Sequence, residues 1–341
     1  MRDEPWLAIN RRDNHGHRPW VQPAGRRPLM KQFSTVGIVG RGIIGSSWAL
    51  VFARAGVRVR VWSRHKTELD ATRERIGAML QSLRGTGLEG AADALQCVSA
   101  NASLEGTLEG VDYVQESVSE NVDLKREIFR KIELYTEADT IIGSSTSGLL
   151  PSVLADGLRH PERFLVVHPL APPHLLPVTE ICPGPGTSPE VIDAVAGLLR
   201  RVEQRPILVR KEIPGFALNR ILAALMNEIL TLVREEVLLP DDVDAMLTEG
   251  FGLRWALIGP LAAMDLNAPG GIEDYLTRYG YIWDEVARSR GMKSALTAEV
   301  IAQLAAAMRR QYRLEDAPTR VGRRDRAIAE LRRHRSTIEH I

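Results

Sequence analysis

The hexapeptide GRGIIG, Gly40 to Gly45, follows a short apolar run, TVGIVG, and leads directly into SSWALVFARAG, a helical stretch that ends on Gly56. A strand, a turn with three glycines at this spacing and a helix leave few folds open. The first glycine permits a tight turn, the second lets a pyrophosphate approach the backbone, and the third lets the helix pack closely on the strand. The helix N-terminus then presents unpaired amides and a partial positive charge. This context implies a dinucleotide-binding unit in which Gly40, Gly42, Ile43, Ile44 and Gly45 cradle the phosphates.

The pattern continues beyond the loop. VRVRVW, with Val57, Val59 and Val61 alternating, supplies the next strand, and a long polar helix starts at about Thr67. DYVQESV, the helix NVDLKREIFRKIELY, the strand TIIGSSTS and the strand RFLVVHP follow in turn. Strands alternating with helices predict a parallel sheet covered on both faces, a doubly wound Rossmann domain over 34–213. At Pro214 and Gly215 the strands stop and helical periodicity takes over, so 214–341 is expected to form an all-α C-terminal domain. Its arginine-rich end, RRDRAIAELRRHRSTIEH, reads as an exposed helix with a solvated basic face.

The chain has 341 residues, 44% of them hydrophobic, which is enough for two domains with real cores. A net charge of +1 gives no reason to expect nucleic acid or a membrane as partner. The most apolar long stretch, FALNRILAALMNEILTLV, is interrupted by Asn219, Arg220, Asn227 and Glu228 and is expected to be an amphipathic helix. Cys97 and Cys182 stand far apart with no metal-ligand spacing, which fits a reducing, cytoplasmic setting without disulfide or zinc. Residues 1–33 carry seven basic and three acidic side chains and no hydrophobic periodicity. They read as a disordered extension, with Met30 an equally good start, and their acids and lack of an apolar segment weigh against a targeting peptide.

The cofactor's identity turns on one position. The second strand of such a unit usually ends in an acid that binds the adenosine ribose and repels a 2′-phosphate. Here the position is Ser63, followed by Arg64. Ser63 cannot repel the phosphate, and Arg64 could pair with it for about 1.5–3 kcal/mol, roughly 10- to 100-fold in affinity. NAD(P) is therefore the expected cofactor, with NADP tolerance or preference; alternatively Arg64 points into solvent and NAD is held by its other parts.

The stretches GIVGRGIIGSSWALVFA, QESVSENVDLKREIF, SSTSGLLPS, VVHP, PGFALNR and EGFGLRWALIGPLAAMDLN together resemble the 3-hydroxyacyl-CoA dehydrogenase superfamily. GLRWALIGP and MDLNA are similar to its lambda-crystallin type, whose enzymatic members are L-gulonate 3-dehydrogenases. The resemblance implies that His168 is the general base and Glu180 the carboxylate that orients it. It makes Ser147 the residue that bonds the substrate hydroxyl, and Asn219 the one that polarises the developing carbonyl. Glu120 and Lys125 fall on positions lining the cofactor and substrate pocket, although a helix-start Glu and a solvated Lys would read the same locally. The chain departs from the family at Ser63 and at Ala171, where an Asn near the nicotinamide is usual.

Arg254, in FGLRWALIGP, is the candidate for substrate choice, because a guanidinium suits a free carboxylate; bracing of helix packing is its alternative. The expected reaction is oxidation of the 3-hydroxyl of a gulonate-like hydroxy acid. A 3-hydroxyacyl-CoA and carnitine are the other substrates considered, the latter needing a box built from residues such as Trp255, Tyr275 and Tyr279. A crystallin-like structural protein is the non-enzymatic alternative. The family also implies a homodimer formed by the helical domain.

Overall fold

The computed structural model describes residues 33–62, 67–86, 88, 90, 93–292 and 295–335. Ser63, Arg64 and nearly all of the N-terminal extension lie outside the described residues. The chain forms two compact units that divide between Met226 and Asn227.

The first unit is built on an eight-stranded sheet. Its strands are β1 (Thr35–Val39), β2 (Arg58–Trp62), β3 (Val98–Asn101), β4 (Tyr113–Glu116), β5 (Ile141–Ser144), β6 (Phe164–Pro169), β7 (Val178–Pro183) and β8 (Arg205–Leu208). They lie in the order β3-β2-β1-β4-β5-β6-β7-β8. The helices are α1 (Ile43–Arg54), α2 (Thr67–Ser82), α3 (Leu104–Leu108), α4 (Val122–Tyr135), α5 (Pro151–Leu154) and α6 (Pro189–Arg201), and α7 (Leu218–Arg234) carries the chain from the first unit into the second. Every residue of β1, β4, β5 and β6 is buried, as expected of strands covered on both faces, and the polar Gln115, Glu116, Ser144 and His168 are buried with the apolar ones. β2 alternates, with Val59 and Val61 buried and Arg58 exposed.

One correction to the parallel sheet falls at β7. It runs antiparallel to β6, while β8 is parallel to β7. The connection between Pro169 and Val178 is too short for a crossover helix, so the chain turns back on itself. It contains a cis peptide bond between Ala171 and Pro172.

Aromatic packing holds α1 on the sheet. Trp48 stacks on Phe52 at 5.6 Å between centroids, and Phe52 lies 6.0 Å from Tyr113. Burial of each such ring contributes about 1.5–3 kcal/mol. Phe33, which the sequence grouped with the extension, is buried edge-on against Tyr113, and its carbonyl accepts from Arg201 at 2.8 Å. Asn121 caps α4 by accepting from the Leu124 amide at 2.9 Å, and Ser188 caps α6 in the same way.

The second unit is helical: α8 (Pro240–Ala245), a π-helical turn over Met246–Phe251, α9 (Gly252–Trp255), α10 (Pro260–Leu266), α11 (Gly271–Ser289), α12 (Ala298–Gln311) and α13 (Ala317–Arg335). Ile272, Leu276 and Met308 form its small core. The buried Asp265 ties it together, accepting from the Ile272 amide at 3.0 Å and from Arg309, with Arg320 at 3.5 Å. No helix among the described residues is long and apolar enough to cross a membrane.

Candidate active site

The glycine loop sits where β1 meets β4, the point at which strand order reverses and ligands bind in open α/β sheets. Gly40 has φ +121°, and a Cβ there would lie 2.4 Å from the Ser117 carbonyl oxygen. At Gly45 a Cβ would lie 1.7 Å from the Gly40 carbonyl oxygen. Only glycine fits either place. Gly42 differs, because a Cβ there meets nothing within 4 Å. Its exposed backbone opens α1, whose N-terminus carries no side-chain cap. Open space over a bare helix N-terminus fits a dinucleotide pyrophosphate. Arg75 of α2, which the sequence did not single out, donates to the Arg41 carbonyl at 2.7 Å, and Ser46 Oγ donates to the same oxygen at 3.1 Å, fixing the loop.

The antiparallel turn of β7 has a direct consequence for the candidate base. His168 and Glu180 are partners in the β6–β7 register, so both side chains stand on one face. His168 Nδ1 lies 2.8 Å from Glu180 Oε2, and both residues are buried. The other carboxylate oxygen accepts from the backbone amides of Ala217 and Leu218 at 2.8 and 2.9 Å, the entry to α7. Burial opposes ionisation of Glu180, but the bonds from His168, Leu218 and Ala217 outweigh it and hold the carboxyl below its ordinary range. A carboxylate can only accept, so Nδ1 carries a proton, and in the neutral imidazole the lone pair is then on Nε2. The Phe216 ring packs at 5.7 Å from the imidazole.

Ser147 and Asn219 come together beside the end of β5. Asn219 Nδ2 donates to the Ser147 carbonyl at 2.6 Å. Glu120 Oε1 accepts from the Ser147 amide at 2.9 Å, from Ser147 Oγ at 3.4 Å and from Thr146 Oγ1 at 2.5 Å. Burial raises the Glu120 carboxyl, but the bond from Thr146 and the Lys125 charge overcome it, and the net direction is downward. Lys125 is not solvated: it is 1% exposed and contacts Glu116, the Val118 carbonyl and Glu120 at 2.7, 3.1 and 3.4 Å. His168, Glu180, Ser147, Asn219, Glu120, Lys125 and the loop glycines all belong to the first unit.

Arg254 belongs to the second unit, where its side chain is exposed. Trp255 stacks on Phe251 at 5.0 Å, whereas Tyr275 packs with Tyr279 and Trp283, so the three aromatics proposed for one box divide between two clusters. Ala171 is exposed in the β6–β7 connection. His174 in the same connection is a further residue the sequence did not flag. Its Nδ1 lies 2.7 Å from Ser47 Oγ of α1, and its amide donates back to that oxygen at 3.1 Å. Burial, and then the charge of Arg54, lower its pKa.

Comparison with known proteins points one way. Residues 35–213 match the NAD-binding domain of 3-hydroxyacyl-CoA dehydrogenase, and 215–307 match its C-terminal domain. The chain is 40% identical to lambda-crystallin of Oryctolagus cuniculus over 258 residues, covering 74% of this chain and 81% of that protein. It is 37% identical to L-carnitine dehydrogenase of Pseudomonas putida over 256 residues, covering 74% and 79%. Among solved structures, (S)-3-hydroxybutyryl-CoA dehydrogenase from Ralstonia eutropha superposes with a TM-score of 0.61 at 27% identity, covering 81% of this chain and 94% of that one. An NAD⁺-dependent 5-formyl-3-hydroxy-2-methylpyridine 4-carboxylic acid 5-dehydrogenase superposes with a TM-score of 0.69 at 25% identity, covering 88% and 98%.

Proposed function

Because the chain belongs to the 3-hydroxyacyl-CoA dehydrogenase family, we propose that it transfers hydride between NAD(P) and the 3-hydroxyl carbon of a gulonate-like hydroxy acid. The observation that carries this reading is the His168–Glu180 pair, with one carboxylate oxygen on the imidazole and the other on two amides of α7. The amides of the Gly40–Gly45 loop would hold the cofactor's pyrophosphate, with Glu120 and Lys125 on its nicotinamide side. When bound, the nicotinamide supplies the hydride acceptor. His168 Nε2 takes the hydroxyl proton, and the ionised Glu180 stabilises the imidazolium that results. Ser147 and Asn219 hold the substrate oxygen, and Arg254 is the guanidinium whose chemistry suits a free carboxylate.

The screen that tests this offers L-gulonate, L-carnitine and 3-hydroxybutyryl-CoA with NAD⁺ and with NADP⁺, following reduced nicotinamide. Gulonate is expected to give the highest kcat/KM, and Arg254→Met to raise its KM by up to about fivefold. Carnitine is the second reading, favoured by the identity to L-carnitine dehydrogenases, and higher turnover with it would replace the first. No turnover in folded, cofactor-binding protein would return the crystallin-like role.

NADP preference rests on Ser63 and Arg64 of the sequence. Fluorescence titration with NADPH and NADH is expected to give the tighter binding to NADPH; the reverse order would make Arg64 a bystander. A homodimer is supported by α7, on which no residue is buried and Ile221, Leu222 and Leu230 are all more than half exposed. Light scattering giving monomer alone would remove it. A cytoplasmic location is consistent with two unpaired cysteines and belongs to the same proposal.

A further inference from the structure

Glu116 is the last residue of β4, and no solvent reaches it. The reaction outlined above gives it no part. Its two oxygens nevertheless meet three donors. Oε1 accepts from Lys125 Nζ at 2.7 Å and from the Val118 amide at 2.6 Å, and Oε2 accepts from Ser144 Oγ at 2.6 Å. Burial raises the carboxyl above its ordinary range, with Lys125, Ser144 and Val118 pulling it back. An environment made of donors suits a carboxylate.

Lys125 is therefore shared between two acids, the buried Glu116 at 2.7 Å and the half-exposed Glu120 at 3.4 Å. The sharing has a geometric effect. Glu120 gives Oε2 to the lysine and keeps Oε1 for Thr146 and for the amide of Ser147. With Glu116 holding the ammonium at short range, Lys125 remains the weaker partner of Glu120, and that acid stays on the Ser147 turn. If Glu116 lost its charge, the full attraction of a desolvated ammonium would fall on Glu120, which would move toward it.

We propose that Glu116 is a positioning residue for Ser147, acting through Lys125 and Glu120; the kinetic part rests on the role given to Ser147 above. A buried, water-excluded ion pair is a stiff support for a hydroxyl that must hold substrate oxygen, since both charges lack any alternative partner in solvent. Ser147 itself lies on an exposed turn, where the backbone alone would leave it loose.

The experiment compares Glu116→Gln with wild type by two readouts. Amide hydrogen exchange of the segment 145–148 is measured on the full chain and needs no turnover, so it survives failure of the enzymatic reading. The variant is expected to exchange about tenfold faster there and unchanged in β1. Equal exchange would overturn the proposal. Kinetically, Glu116→Gln is expected to lower kcat about tenfold with KM within about twofold, and to cost less than about twofold when Ser147 is already Ala. An equal, additive loss in the Ser147→Ala background would overturn it. Should Glu116→Gln fail to fold with Lys125 uncompensated, Glu116→Gln/Lys125→Met replaces it. The double variant is expected to match Lys125→Met alone in exchange over 145–148, and a further increase beyond that single variant would overturn the relay.

Discussion

Replacing Glu180 with Gln removes one charge while keeping the shape of the side chain, and the structure fixes what must follow. Three donors face this carboxylate: His168 Nδ1, the Ala217 amide and the Leu218 amide. A glutamine amide has one accepting oxygen and one donating nitrogen, so one set of donors meets another donor. If the oxygen turns toward His168, the amide nitrogen opposes two backbone N–H groups, at about 1–3 kcal/mol for each one left unsatisfied. Turning the other way sets the nitrogen against Nδ1, and the imidazole then moves its proton to Nε2. That arrangement conflicts with fewer donors, and it deprives Nε2 of the lone pair that would accept the substrate proton. Loss of the charged partner is worth about 1.5–3 kcal/mol, or 10- to 100-fold, and a misplaced tautomer removes general base catalysis of about 10²- to 10⁴-fold. The expected outcome in steady-state assays is a kcat lower by about 10²- to 10⁴-fold with KM within about threefold. Stability gives a second check. An ordinary Glu titrates near about 4.3, and the folded state holds Glu180 below that. The unfolded chain therefore binds the proton first, so stability from Glu180 is present above about pH 4.3 and is lost as pH falls through the folded-state value. The wild-type Tm should drop more steeply than that of the variant across this acid window. A variant within about threefold of wild-type kcat, with the same acid slope, would refute the reasoning.

Gly42 is the one loop glycine with room for a side chain, and its φ of −61° suits alanine. At this N-cap the unfolded-state gain of Gly42→Ala and the poorer capping of alanine roughly offset, so urea stability should stay within about 1 kcal/mol while cofactor binding weakens about tenfold or more in a fluorescence titration; unchanged affinity would place the phosphates elsewhere. Asp265→Ala should destabilise the second unit by about 3–5 kcal/mol, since it strands the Arg309 guanidinium and the Ile272 amide, and a urea curve matching wild type would contradict that. Burial, and then the charges of Glu212 and Glu180, push the Cys182 thiol up to about 12. Iodoacetamide at pH 8 should accordingly label the half-buried Cys97 and spare Cys182 until the chain unfolds, as read by mass spectrometry.

What the sequence disclosed depended on how local the signal was. The strand, glycine loop and α1 are contiguous, Gly40 and Gly45 answer to backbone requirements at their own positions, and Gly42 leaves the space a phosphate would need, so the cofactor cradle was legible residue by residue. β3 was not, since VSAN is four residues long and only Val98 is buried. The second unit's latch at Asp265 was equally hidden: its partners Arg309 and Arg320 lie on two later helices, and nothing near Asp265 in the chain marks it as buried. Lys125 looked solvated because a lysine in the first turns of a polar helix usually is. Only the docking of α4 against the end of β4 turns that side chain inward, onto a glutamate nine residues earlier that itself read as one more polar residue in QES.

The direction of β7 illustrates the same limit from the other side. His168 and Glu180 are near in sequence, and the family resemblance linked them, yet the sequence marks no strand at VTEICP and predicts a sheet that is parallel throughout. A parallel neighbour would need a long crossover and would not follow β6 after so brief a connection. Reversal makes the two residues opposite partners, and it also leaves the second carboxylate oxygen free to reach α7. The chain enters α7 through Phe216, which holds φ at +50°, a region that costs a bulky residue about 1–3 kcal/mol. That cost is offset by what the conformation allows: the Phe216 ring is wholly buried against His168, and the next two amides point at Glu180. Backbone strain, the antiparallel turn and the ionised acid therefore depend on one another, and together they fix the imidazole in the one tautomer that leaves Nε2 able to take a proton.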